Sequence, residues 1–459
     1  MQDVGGVSSV RTFFILAAAA GFWVACSPSS GADGGVPDSG SADSGSADAG
    51  DPIPTTDETQ YLDFVLTAPV FDQTTGPGAG DAGQIFAILE ASVASLAGQI
   101  GATGDGRTRQ LGFTLVLPVW DLEAVFPGKL ATIISQAANV SLAEHLALHL
   151  SIESHYFWEA RPDLWNFFDP SGPGYDPANV GNVEWTGWSQ SGYRWRFVDW
   201  GVPMSLGAPH MCYLSTAVQA EVARLGGLIG GATRQALDNL ADAGHPELFS
   251  GITVDSEPSL DNYAVVDQFD PAMGQLMEDA GAPEVELGYC AFTALGYSAE
   301  SPPSDAGAAA ALANQLFVES WAGAVADAGV PSSRLYTHIA ASAQGPQLEF
   351  TNAPIPMAFI RSARPGWTTY PWGPLEASFQ PLLMALAANG NPHWGGTEAA
   401  PFDGTQAIDA YDYLRRFYGA GATVVVMNAG ATGSLGGALE SAVYGPAAIA
   451  AYQRFLAGQ

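Results

Sequence analysis

The chain has 459 residues, 47% of them hydrophobic, enough to bury one large core or two smaller ones. Its charge is one-sided: 15 Lys plus Arg stand against 47 Asp plus Glu, a formal net charge of -32. That excludes a nucleic-acid binder, which needs a basic face to displace counterions. It also disfavours anionic substrates and polybasic docking to a membrane.

In chain order, Arg11 precedes an apolar stretch from Thr12 to Ala25 that is too short to span a bilayer and ends at Ala25-Cys26. A small residue directly before a cysteine resembles the end of a bacterial lipoprotein signal, although Trp23 stands where Leu is usual. The resemblance implies that residues 1–26 are a signal and that Cys26 is lipidated as the first residue of the mature chain. A plain secretory signal is the rival reading. Residues 27–58 are mostly Ser, Gly, Ala, Asp and Pro, and Asp38-Ser39-Gly40-Ser41-Ala42 recurs as Asp43-Ser44-Gly45-Ser46-Ala47. Such a segment cannot bury enough surface to offset its chain entropy, so it reads as a disordered tether. The expected location is the cell envelope, lipid-anchored at the outer membrane or cell surface, or else the medium. Cys212 and Cys290 remain; their spacing demands no bridge, and two buried thiols is the preferred reading.

From residue 59 to 459, strand-like runs fall at 61–67, 111–118, 146–153, 249–256, 286–292, 334–341, 391–395 and 423–428. Helical patterns lie between and after them, at 82–100, 124–138, 213–240, 268–280, 305–328, 374–389, 405–419 and 437–456. Eight strand–helix units favour a closed (β/α)8 (TIM) barrel over an open doubly wound sheet. The run at 391–395 is contested by Pro356-Met357-Ala358-Phe359-Ile360 for the seventh place. No Gly-x-Gly-x-x-Gly or phosphate loop follows a strand, which removes the case for a nucleotide-binding fold. After the third strand, residues 154–212 form a long insertion without a long helix, carrying half of the 12 tryptophans. Two readings of it stay open: a hairpin or lid packed on its own aromatics, and a wall on which ligand rings stack.

Two carboxyls stand at strand ends: Glu257 closes Gly251-Ile252-Thr253-Val254-Asp255-Ser256-Glu257, and Glu398 closes His393-Trp394-Gly395-Gly396-Thr397-Glu398. In a parallel barrel both project onto one rim. Here the sequence resembles the large set of (β/α)8 glycoside hydrolases, which carry an acid/base at the end of strand four and a nucleophile at the end of strand seven. The resemblance implies retaining hydrolysis of a neutral oligo- or polysaccharide, with Glu257 as acid/base and Glu398 as nucleophile. The acid has to hold its proton, so Glu257 is expected in a drier setting than Glu398. Ser256 replaces the Asn that precedes the acid/base in the best-known clan.

The same run resembles the tail of the chitinase-type Asp-x-Asp-x-Glu signature, with Thr253 in place of the earlier Asp. There Asp255 would hold an N-acetyl group while Glu257 acts as acid, and strand alternation puts the two on one face. A non-catalytic carbohydrate-binding lipoprotein is the third reading; it keeps the aromatic wall but needs no Glu at both strand ends. Glu153, His155, His210, Tyr289, Tyr336, His338, Trp394 and Asn428, with Trp158, Trp185 and Trp188 of the insertion, are expected to bind the sugar. His155, His338 and His393 lack metal-ligand spacing, so neither metal nor cofactor is expected. The expected partner is a carbohydrate, with no nucleic acid, membrane contact only through the lipid, and a monomeric chain.

Overall fold

A computed structural model describes residues 53–66, 81–125, 127–154, 158–190, 195–198, 205–255, 257–258, 260, 288–340, 354–371, 375–429 and 433–459. Cys26, residues 27–52 of the expected tether, His155 and the helical pattern at 268–280 lie outside the described residues. The tether's last residues, 53–58, are corrected to part of the folded body, since Ile53 is buried and Glu58 pairs with Arg364.

The strands are β1 (Gln60–Val65), β2 (Arg109–Pro118), β3 (Ala147–Glu153), β4 (Trp195–Val198), β5 (Ser205–Pro209), β6 (Phe249–Thr253), β7 (Leu335–Tyr336), β8 (Gly366–Thr368), β9 (Trp394–Ala399) and β10 (Ala422–Met427). Eight of them form one parallel sheet in the order β7-β6-β3-β2-β1-β10-β9-β8. Parallel bridges Tyr336–Arg364 and Ile339–Trp367 join the two ends, so the sheet closes into a barrel whose strands follow chain order. Among the described residues, the antiparallel pair β4–β5, inside the insertion, stands apart. A parallel barrel covers both faces of each strand, which is why β10 reads Ala-Thr-Val-Val-Val-Met and is buried throughout.

Helices wrap the outside. Ala82–Ile100 is long and apolar enough to cross a membrane by composition, yet Ile85, Leu89, Val93, Leu96 and Ile100 recur at helical spacing and are buried. Each such side chain contributes roughly 1.5–3 kcal/mol when fully removed from water. Asp81 caps this helix, accepting from the backbone of Gly83 and Gln84, while Gln84 reaches back to the Asp81 amide. Below the barrel, Arg109 is buried and donates to the carbonyls of Phe455 and, at 2.6 Å, Ile53, tying both ends of the described chain to β2.

Five expectations are corrected here. The run at 286–292 is not the fifth strand: Tyr289–Ala294 is a helix, with residues 286–287 outside the described residues. The run at 334–341 supplies β7, the fifth barrel strand, and the sixth is the short β8, which has too few residues to show a period. Pro356–Ile360 is no strand either, since Ile355–Ala358 is a single 3-10 turn. The pattern at 437–456 is two helices, Gly433–Tyr444 and Pro446–Leu456, broken where Pro446 opens the second. Cys212 and Cys290 are joined by a disulfide with Cα atoms 5.9 Å apart, not left as buried thiols. None of these moves the two strand-end carboxyls, because β6 and β9 remain the fourth and seventh barrel strands.

Candidate active site

Five successive strand ends of the barrel rim bring polar groups together: Glu257 after β6, His338 after β7, Thr368 and Tyr370 at β8, Glu398 in β9 and Asn428 after β10. One donor atom each from Glu257, His338 and Glu398 lies within 4.8 Å of the others. The His338 Nε2 stands 3.8 Å from Glu257 Oε1 and 3.6 Å from Glu398 Oε2. It lies 2.8 Å from the Thr368 hydroxyl, which in turn donates to Glu257 Oε1. On the other side Tyr370 donates to Glu398 Oε1 at 2.8 Å, and the Asn428 side chain also hydrogen-bonds Glu398.

The backbone that presents Glu257 is strained. β6 ends at Thr253, and both Asp255 (φ 67°) and Glu257 (φ 50°) sit in the left-handed region that side chains with a Cβ rarely adopt. Strand alternation therefore does not carry Asp255 and Glu257 onto one face. Asp255 is fully buried and its Oδ1 accepts from the Ser154 hydroxyl at 2.6 Å, which pins the turn against the end of β3. The Glu257 amide donates to the His338 carbonyl at 2.9 Å. Such strain persists only where the surroundings over-determine it, and it concentrates at functional sites.

Burial raises the Glu398 carboxyl to about 7, against the lowering effect of its Tyr370 and Asn428 bonds. The Tyr370 phenol is pushed well above its usual range by burial and by the neighbouring Glu398. The expectation that Glu257 is the drier carboxyl is overturned: Glu257 is 9% exposed and Glu398 5%.

A cation gripped by Glu257, His338 and Glu398 would draw its ligands to about 2.0–2.2 Å. His338 Nε2 would have to exchange its hydrogen bond to the Thr368 hydroxyl for the cation, whereas Glu257 engages Thr368 through Oε1 alone. Of the histidines considered from the sequence, His338 joins the carboxyl pair, His393, at the opposite end of β9, faces Glu58 at 3.6 Å, and His155 lies outside the described residues.

Of the expected sugar contacts, His338 and Asn428 join the carboxyl pair, and Glu153 is half-buried at the end of β3. Others are framework instead. Trp158 and Trp185 are buried with their indole N–H groups on the carbonyls of Pro209 and Val180. Trp394 is buried among Trp367, Phe379 and Phe417, its N–H on the Ala420 carbonyl. Tyr336 fills the barrel interior and bonds Thr423, and His210 is buried against Tyr213. Tyr289, on its helix, packs edge-on against the partly exposed Trp188. The insertion thus packs largely on itself, with Phe167 and Phe168 in edge contact and Trp165 stacked on Phe168. Thr368 and Tyr370 escaped the sequence reading, because the strand that carries them is only three residues long.

No family model matches the chain, and no curated protein matches it. Among solved structures it is similar to the catalytic domain of a beta-amylase from Paenibacillus polymyxa, at 11% identity over 82% of this chain and 93% of that one, with a TM-score of 0.45. It is also similar to the beta-glycosidase BGL167, at 12% identity over 82% and 87%, TM-score 0.40. A structure of the pneumococcal virulence factor StrH matches at 8% identity over 88% and 83%, TM-score 0.35. These are distant likenesses of chain course, and no residue role is carried over from them.

Proposed function

We propose that the chain is a glycoside hydrolase that cleaves a neutral oligo- or polysaccharide with Glu257 as acid/base and Glu398 as nucleophile. The observation that carries this reading is the pair of facing strand-end carboxyls, with an oxygen of each within 4.8 Å of the other. Retention uses carboxyls roughly 5–5.5 Å apart, whereas inversion leaves about 6.5–9.5 Å for a water, so the closeness favours retention. The nucleophile must be ionised when it attacks the anomeric carbon. Tyr370 and Asn428 both hydrogen-bond Glu398, and both act to keep it ionised. Burial raises Glu398 to about 7, so it becomes a nucleophile as pH rises through that value, while Glu257 in the acid role passes a proton to the leaving oxygen and later recovers one from the incoming water.

The substrate-assisted alternative gains no support, since Asp255 is buried and committed to Ser154. A purely binding site has no use for two buried, mutually repelling carboxyls. The test is a screen of oligosaccharides and aryl glycosides followed by two variants. Glu398→Ala is expected to abolish turnover and to regain part of it in azide, which replaces the missing nucleophile. Glu257→Ala is expected to lose about 10²–10⁴-fold on substrates with poor leaving groups and far less on activated aryl glycosides. Full activity in Glu398→Ala without azide would reject the assignment.

A further inference from the structure

Thr368 has one hydroxyl proton and donates it to Glu257 Oε1. The same hydroxyl oxygen lies 2.8 Å from His338 Nε2, so with its proton already committed it can only accept there. His338 must then carry a proton on Nε2. We propose that His338 acts through Thr368 as a positioning residue, keeping Glu257 Oε1 an acceptor so that the acid proton resides on Oε2. This rests on the reading of Glu257 as the acid, but the arrangement of protons can be tested without it.

The alternative proton order runs the other way: Glu257 Oε1 donates to Thr368, and Thr368 donates to an unprotonated His338 Nε2. It satisfies the same two hydrogen bonds but points the proton of Glu257 into the protein wall. Which order holds is therefore a choice of histidine tautomer, and the surroundings bias it. Nε2 lies 3.6 Å from Glu398 Oε2 and 3.8 Å from Glu257 Oε1, so a donor on this nitrogen faces two carboxyls, whereas a bare lone pair would repel them. The other titratable groups around it are Tyr370, bonded to Glu398, and His149, whose protonated form is disfavoured by His338. The order is the same in both catalytic steps. When Glu257 loses the Oε2 proton its Oε1 becomes a stronger acceptor, and the Thr368 and His338 donors need not turn.

The experiment is nitrogen-15 NMR of the full chain labelled at its 7 histidines, with the His338 signals identified by their loss in His338→Asn. A pyrrole-type shift is expected for His338 Nε2. In Thr368→Val the hydroxyl is gone, and His338 is expected to move towards a tautomer mixture, while Thr368→Ser keeps the wild-type pattern. A pyridine-type Nε2 in the wild type, or a His338 signal indifferent to Thr368→Val, overturns the proposal. Misfolding of Thr368→Val would show as collapse of all the histidine signals towards common, unfolded shifts, and Thr368→Ser together with the wild-type tautomer still decides the matter. No turnover is involved, so an inactive protein with the expected tautomer rejects the hydrolase reading and leaves the proton order standing. In an active protein, the basic limb of the kcat/KM pH profile is expected to shift in Thr368→Val and not in Thr368→Ser.

Discussion

Asp63 and His149 meet inside the barrel with the Ser250 hydroxyl between them, donating to Asp63 Oδ2 at 2.6 Å and contacting His149 Nδ1 at 3.2 Å. His149 Nε2 meets Thr253 at 2.9 Å. The carboxyl and the ring are 3.5 Å apart, yet they are not an ion pair: both are wholly buried, and burial favours the neutral form of each. It pushes Asp63 well above its usual range and His149 down to about 3. The two act oppositely on stability. His149 is depressed, so its contribution is present above its unfolded value near 6.5 and lost as pH falls towards about 3. Asp63 is raised, so its contribution is present below the unfolded value near 3.9 and lost as pH rises to its folded value. Between roughly pH 4 and 6.5 the slopes, each up to about 1.4 kcal/mol per pH unit, cancel; above that only Asp63 weighs. Asp63→Asn removes its part, so the variant should gain on the wild type as pH rises from about 4. Urea unfolding of both proteins at a series of pH values measures this. A constant difference across that range would mean that Asp63 is ionised in the fold. Gly112 on β2 has its own reason in this arrangement, since a Cβ there would lie 1.8 Å from Asp63 Oδ1.

Among the elements, the helix Thr216–Asp242 shows how a sequence pattern can be right for an unexpected reason. It contains Gly226-Gly227 and Gly230-Gly231, a composition that weakens an isolated helix, yet it forms because one face packs on the helix Ala306–Asp327. A Cβ on Gly226 would meet the Ala324 Cβ at 2.5 Å, and one on Gly230 would meet the Val325 carbonyl oxygen at 2.7 Å. Gly227 and Gly231 face open space. Gly227→Ala is thus expected to stabilise by about 0.5–1 kcal/mol through lost chain entropy. Gly230→Ala should destabilise by about 1–3 kcal/mol through overpacking against backbone that cannot move aside. Equal gains from both in chemical denaturation would show that the two helices do not approach as closely as this. The same contrast between pattern and packing governs what was legible in the sequence. Long strands such as β2 and β10 announce themselves by apolar runs, and Glu257 and Glu398 were legible because each closes such a run. β7 and β8 are held by neighbours rather than by period, so the sixth strand, and with it Thr368 and Tyr370, left no trace. Tyr289–Ala294 is apolar because it is buried near Trp188 and the disulfide, and burial alone does not distinguish a helix from a strand. Trp158, Trp185 and Trp394 are buried framework, because a large aromatic marks burial more often than it marks a ligand wall.

At the scale of the molecule, the insertion between β3 and β6 is fastened to the body in a way that depends on where the chain folds. Cys212, just before the helix Thr216–Asp242, is bridged to Cys290 in the helix Tyr289–Ala294, 78 residues further on. The buried Glu184 of the insertion accepts from the amides of Cys290 and Ala291 at 3.1 and 3.5 Å, and burial raises its carboxyl to about 8. A bridge closing a loop of that length restricts the unfolded chain by about 4.5 kcal/mol on the chain-entropy estimate, with measured effects typically about 2–4 kcal/mol. Such bonds form mainly in oxidising compartments. The double variant Cys212→Ser, Cys290→Ser is therefore expected to lose about 2–4 kcal/mol of unfolding free energy against the oxidised protein. Against the reduced protein it should lose almost nothing, because reduction removes the same restraint. Denaturant unfolding with and without a thiol reductant separates the two comparisons. If the oxidised protein and the double variant unfold at the same denaturant concentration, the bridge does not constrain the fold.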